Sequence, residues 1–99
     1  MNIILAPEAL ADLDDICAFI ADDDAQRAMV LLERIEKRIE QLRDNPSLGR
    51  PGRVPGTREL VVPRTPFIVP YQVTSTMIEV LRVYHGARQW PEQFGDSDG

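Results

Sequence analysis

The sequence predicts an α+β fold in the order β-α-α-β-β-β, with a helical hairpin packed on a mainly antiparallel sheet. Three observations carry this. From residue 10 to residue 42 apolar side chains recur every three or four positions, the period of a helix face. Beyond residue 57 the period shortens to alternation, as in a strand. Between the two regimes, residues 45–57 contain three Pro and three Gly, which exclude regular structure there.

Residues 2–5 form a short apolar run and read as the first strand. Pro7 and Glu8 suit a first helical turn, where a missing N–H is harmless and a carboxylate meets the positive end of the helix dipole. Leu10, Leu13, Ile16, Cys17 and Ile20 then mark one apolar helix face, with Asp12, Asp14, Asp15 and Asp22 off it and solvated. The aspartates at 22–24 end this helix and offer caps for the next. The second helix spans about Ala25 to Asp44, with an apolar stripe of Ala28, Leu31, Leu32, Ile35, Ile39 and Leu42. Glu33 and Lys37 have the spacing of a supporting pair, whereas Arg34 and Arg38 repel. Only about three residues join the helices, so they form an antiparallel hairpin.

Arg58–Val62 and Phe67–Val73 read as strands, with Pro70 marking an edge or a bulge because it cannot donate to a ladder. Thr74, Ser75 and Thr76 form a turn. Met77 to Tyr84 is the clearest strand: Ile78, Val80 and Arg82 alternate with Glu79, Leu81 and Val83. Apolar residues on both of its faces place it centrally, with helices over one face and a cover over the other. Residues 1–91 make one domain, and residues 92–99, poor in apolar side chains, make a flexible tail.

The composition, 43% hydrophobic and 27% charged, is that of a globular domain. No apolar run reaches the ~18 residues of a membrane span, and the N-terminus lacks the basic start and apolar length of a signal peptide. A cytoplasmic protein without membrane contact is expected. Cys17 is the single cysteine and reads as a small apolar filler. One His and one Cys cannot build a usual structural zinc site, and no phosphate-binding glycine fingerprint or Gly-x-Ser-x-Gly motif occurs. No metal or cofactor is expected.

The net charge of -5 argues against a general nucleic-acid binder. Its distribution is uneven: residues 1–42 carry ten acids and four bases, residues 43–99 six acids and seven arginines. Arg50 and Arg53 lie in the Pro/Gly loop, Arg58 opens a strand, Arg64 sits in a turn, and Arg82, His85 and Arg88 surround the end of the last strand. Guanidinium groups bind phosphate or carboxylate bidentately, and Tyr71, Tyr84 and Trp90 offer rings for stacking. The plainer alternative is scattered surface arginines, with His85 structural and Trp90 a clamp for the C-terminal residues.

Four segments, taken in order, span nearly the whole chain and resemble the RelE/ParE superfamily of toxins from type II toxin–antitoxin systems. They are Ala9 to Ile16, Gly49 to Leu60, Thr65 to Val73 and Ile78 to Pro91. The resemblance implies a cognate antitoxin whose C-terminal segment wraps the toxin. RelE-like members are similar to ribosome-dependent endoribonucleases that cut mRNA. For that activity the matching residues are Arg58, Arg64, Arg82, Tyr84 and His85, and the partner is a translating ribosome with mRNA. That class carries an Arg three residues before the tyrosine of the third strand; here the position is Ile68. ParE-like members resemble poisons of DNA gyrase and need no ribonuclease residues. The Pro66–Tyr71 run and the His85–Arg88 segment look more like that branch. On either reading Arg50, Arg53, Arg88 and Trp90 are candidate contacts for the target or the antitoxin.

Overall fold

The structure, a computed structural model, describes residues 1–86 and Phe94. Strand β1 (Asn2–Leu5) leads into helix α1 (Pro7–Ala21), then α2 (Ala25–Glu40) with a 3-10 turn over Gln41–Arg43. Strands β2 (Arg50–Pro51), β3 (Arg58–Val61), β4 (Phe67–Val73), β5 (Met77–Val80) and β6 (Tyr84–His85) follow. The sheet order is β1-β5-β4-β3-β2, with β6 also beside β4. Every pairing is antiparallel except β1 with β5, which is parallel. The α+β architecture therefore matches the sequence expectation. Of the expected tail only Phe94 is described, and Arg88 and Trp90 lie outside the described residues.

The helices pack on one sheet face. Ala9, Leu13, Ile35, Ile39 and Leu42 meet Leu60, Val62, Phe67, Val69, Tyr71, Ile78, Val80 and Val83 in one core. The α2 stripe is buried or half-buried throughout, as its spacing predicts. On α1, Leu10 is 52% exposed and Ala9 takes the core position, a shift of one residue from the expected face. A small side chain at Ala9 suits the start of α1, which follows β1 with a single residue between them. Asp24 caps α2 by accepting from the Arg27 N–H at 3.1 Å, worth about 1 kcal/mol.

Two expectations about the strands need correction. Residues 45–57 are not wholly irregular, because Arg50 and Pro51 pair with Glu59 and Arg58. The run from Met77 to Tyr84 is also not one strand. Tyr71 faces Val80, while Ile68 faces Tyr84, so three residues, 81–83, stand opposite only Val69 and Pro70. This is a β-bulge, with one extra residue on the C-terminal strand. It resets the alternation, so that Val83 rejoins Val80 on the core face.

Pro70 lies opposite this bulge, in an interior strand rather than at an edge. Its carbonyl accepts from the Leu81 N–H at 2.9 Å, and the bulge removes the demand for the N–H that proline lacks. On the face away from the helices, the 49–57 loop covers Glu59 through Arg50 and Arg53. Ile4 and Val61 on that face stay exposed among the described residues.

Tyr71 anchors the loop. Its hydroxyl donates to the Pro46 carbonyl at 2.7 Å and accepts from the Gly49 N–H at 2.8 Å. Burial pushes the phenol pKa up, against the Gly49 hydrogen bond and the charges of Arg58 and Arg38. Position 49 admits only glycine, since a Cβ would stand 2.7 Å from a Tyr71 ring carbon and 2.8 Å from the Glu59 carbonyl oxygen.

Leu42→Ala, at a fully buried position between the 3-10 turn and the sheet, is expected to lower unfolding free energy by about 2–5 kcal/mol in urea titrations. Tyr71→Phe keeps the ring but strands the Gly49 N–H, and is expected to cost about 1–3 kcal/mol in the same assay.

Candidate functional site

The arginines do not gather at one point; they fall into three groups. The first surrounds Glu59, 3% exposed in β3. Its Oε1 accepts from Arg50 Nε and Nη2 at 3.2 and 3.0 Å. Its Oε2 accepts from the Arg53 backbone N–H at 2.8 Å and from Arg53 Nε at 3.1 Å. Burial raises the Glu59 pKa, but the Arg53 and Arg50 hydrogen bonds and the Arg53 charge outweigh it and hold the carboxyl below its usual value. Arg58 donates to the Gly49 carbonyl at 2.7 Å. Arg50, Arg53 and Arg58 thus hold the Pro/Gly loop against the sheet, and the outer parts of Arg50 and Arg53 remain exposed.

The second group lies at the bulge. Asp12 of α1, expected to be solvated, is half-buried. Its Oδ2 accepts from Arg82 Nε at 2.7 Å and from the Val83 N–H at 2.9 Å, and its Oδ1 accepts from Arg82 Nη2 at 2.9 Å. The guanidinium carbon lies 4.7 Å from the centroid of the Tyr84 ring. Tyr84 is buried and tilts against Phe94 with 6.0 Å between ring centroids. His85 is exposed and meets Phe67 edge to face at 5.9 Å. Tyr84 faces Ile68 across the strands, so an apolar side chain neighbours the phenol.

The third group lines a groove between α2 and the turn after β3. Arg64 occupies this turn with φ 64°, a left-handed conformation that costs a non-glycine residue about 1–2 kcal/mol. Arg34, Lys37, Arg38 and Arg64 line a groove of about 370 Å³, with one carboxylate, Glu33, among them. Arg58 opens β3, whereas Arg64 lies in the turn beyond the other end of that strand. Of the candidate ribonuclease residues, the structure brings Arg82 and Tyr84 into contact, sets His85 beside Phe67, and leaves Arg58 and Arg64 elsewhere.

Cys17 is half-buried, and its thiol is pushed up in pKa by burial and by the nearby Asp14 and Glu36 carboxylates, the reverse of an activated nucleophile. Among the described residues no group of three or more His, Cys, Asp or Glu is placed to hold a metal ion. No described helix is long and apolar enough to cross a membrane.

Comparison with known proteins matches residues 3–90 to the family described as ParE toxin of type II toxin–antitoxin system, parDE. The chain belongs to this family. The toxin is 43% identical over 84 residues to the putative toxin Y4kP of Sinorhizobium fredii (strain NBRC 101917 / NGR234), covering 85% of this chain and 86% of that protein. It is 25% identical over 90 residues to toxin RelE1 of Caulobacter vibrioides (strain ATCC 19089 / CIP 103742 / CB 15), covering 89% and 96%. Its fold superposes with a TM-score of 0.79 on a chain of the chromosomal ParDE system from P. aeruginosa, at 31% identity, covering 86% of this chain and 95% of that one.

Sequence reasoning did not single out Asp12 or Glu59. The available signal was position. Asp12 follows buried Ala9 by three residues and precedes buried Leu13, and Glu59 stands between Arg58 and fully buried Leu60 in a short strand.

Glu59 generates a pH prediction. Its folded pKa is depressed, so the stability it contributes is fully present above its ordinary value of 4.5 and is lost as pH falls through the lower folded value. Chemical denaturation from pH 7 to 2.5 should show a steeper acid loss for the native protein than for Glu59→Gln. Parallel curves below pH 4.5 would contradict this linkage.

Proposed function

We propose that this toxin arrests growth by inhibiting DNA gyrase through protein contact, acting in the cytoplasm without a cofactor. The observation that carries the reading is the engagement of Arg82. Both of its paired donors are spent on Asp12, which neutralises the cation that a ribonuclease would aim at a phosphate. Ile68 supports the same conclusion, because it places a branched apolar side chain beside Tyr84 where a charge-stabilising Arg is wanted. Stabilisation of a pentavalent phosphate by this set is correspondingly weak.

The partner that neutralises the toxin is a cognate antitoxin, supported by membership of the ParE family and by likeness to a ParDE structure. Its C-terminal segment, disordered alone, would fold along the toxin surface. The second reading, an endoribonuclease acting on mRNA in translating ribosomes, draws on the likeness to toxin RelE1 and on Arg58, Arg64, Arg82, Tyr84 and His85.

Purified toxin is expected to inhibit gyrase supercoiling or trap cleaved DNA, and to leave ribosome-bound mRNA intact. His85→Ala should retain full growth arrest on induction without antitoxin. Codon-specific mRNA cuts that vanish in Arg82→Ala and His85→Ala would replace the gyrase reading with the ribonuclease one.

A further inference from the structure

The groove between α2 and the turn after β3 has a composition that the toxin fold does not require. Arg34, Lys37 and Arg38 lie one helical turn apart at i, i+3 and i+4, and Arg64 faces them from the turn. The side chains of Arg34, Lys37 and Arg64 make no hydrogen bond or ion pair among the described residues. The Glu33–Lys37 spacing, read from sequence as a supporting pair, closes no salt bridge. Arg38 directs Nε to the Val61 carbonyl at 2.9 Å and Nη1 to Gln41 at 2.8 Å, which fixes its guanidinium at the groove. Like charges at this spacing repel on a helix, and an anion between them relieves that repulsion. Arg64 adds a second cost, since its positive φ would suit Asn or Gly better. Four cations against one carboxylate, Glu33, leave the groove net positive.

We propose that this groove receives a carboxylate-rich segment of the antitoxin. The inference rests on the antitoxin partnership proposed above. Three observations favour an acidic peptide over a nucleic acid. Gln41 and a single carboxylate, Glu33, complete the lining with Val30 and Pro63, and the last two suit apolar side chains set between carboxylates. None of the lining residues is aromatic, so no platform for base stacking is present. The net charge of -5 opposes a long polyanion, whereas a short segment meets only the local field. Carboxylates spaced three or four residues apart on one face of the segment would match Arg34, Lys37 and Arg38, and a further one would reach Arg64.

The test uses the full-length toxin and a labelled peptide covering the C-terminal half of the antitoxin encoded beside it, read by fluorescence anisotropy. The double variant Arg34→Glu/Lys37→Glu is expected to weaken binding by about tenfold or more at low salt. Arg27→Glu, an exposed cation outside the groove, should change it less than about twofold. Arg64→Asn should weaken binding while raising the melting temperature by about 2–6 °C, because Asn tolerates the left-handed backbone. A residue that takes no part in binding would show the melting shift alone, and that outcome overturns the place of Arg64 in the groove. Equal affinity in native and groove variants overturns the groove assignment and leaves the antitoxin partnership standing. No binding to the native toxin overturns both. Displacement of the peptide by an oligodeoxythymidine of equal charge with comparable affinity makes the groove a nucleic-acid contact and overturns the proposal.

Discussion

The contact between Asp12 and the segment Arg82–Val83 organises the molecule more than any other polar interaction. One carboxylate on α1 takes both a guanidinium and a backbone N–H from the bulge. An N–H turned out of the ladder at a bulge needs a partner, and a half-buried charge needs neutralisation. The contact supplies both. It also fixes the phase of the chain on either side: Val80 and Val83 enter the core, and Tyr84 emerges on the far face beside Ile68. Pro70 is tolerated in the middle of the sheet because the facing strand bulges opposite it. The proline, the extra residue and the aspartate are three parts of one solution.

The Pro/Gly loop follows a different logic. It has almost no ladder of its own, so its backbone groups are satisfied by side chains from the sheet. Tyr71 reaches it from β4, Arg58 from β3, and Glu59 draws in both loop arginines. The loop arginines are therefore structural first, with their outer surfaces exposed. The α2 groove is the converse case. Its cations are brought together by helical spacing and a strained turn, and most of their hydrogen-bonding capacity remains unspent.

Hydrophobic periodicity made the helical hairpin and the strand order along the chain legible, and the Thr74–Thr76 run marked a turn. It failed where a single residue changes phase. Leu10 has the spacing of a core residue, yet close approach of α1 to β1 gives the position to Ala9. Met77 to Tyr84 alternates cleanly on paper, and no composition signal marks the added residue, because a bulge is defined by its partner strand. Pro70 carried the signal of a break, and the bulge it implied lies in an interior strand. The polar contacts were least legible. Asp12 and Glu59 are ordinary acidic residues in sequence, and their roles arise from partners up to 71 residues away that only the fold brings close. The family resemblance reached further than local pattern did, because it compares ordered segments over nearly the whole chain.

Strand β1 has a consequence for how the chain is made. Residues 2–5 pair with residues 77–80, so β1 has no partner strand until more than seventy further residues have been made. Contacts of such long sequence separation form late and slowly. The helical hairpin can form early, but its apolar stripe has no sheet to cover it until β3, β4 and β5 have emerged. A nascent chain short of residue 80 thus has neither a closed sheet nor the Arg82 contact. Any activity that depends on the closed sheet is withheld until residues 77–85 have been made, so the fold of the toxin is completed by its later strands and not by its helices.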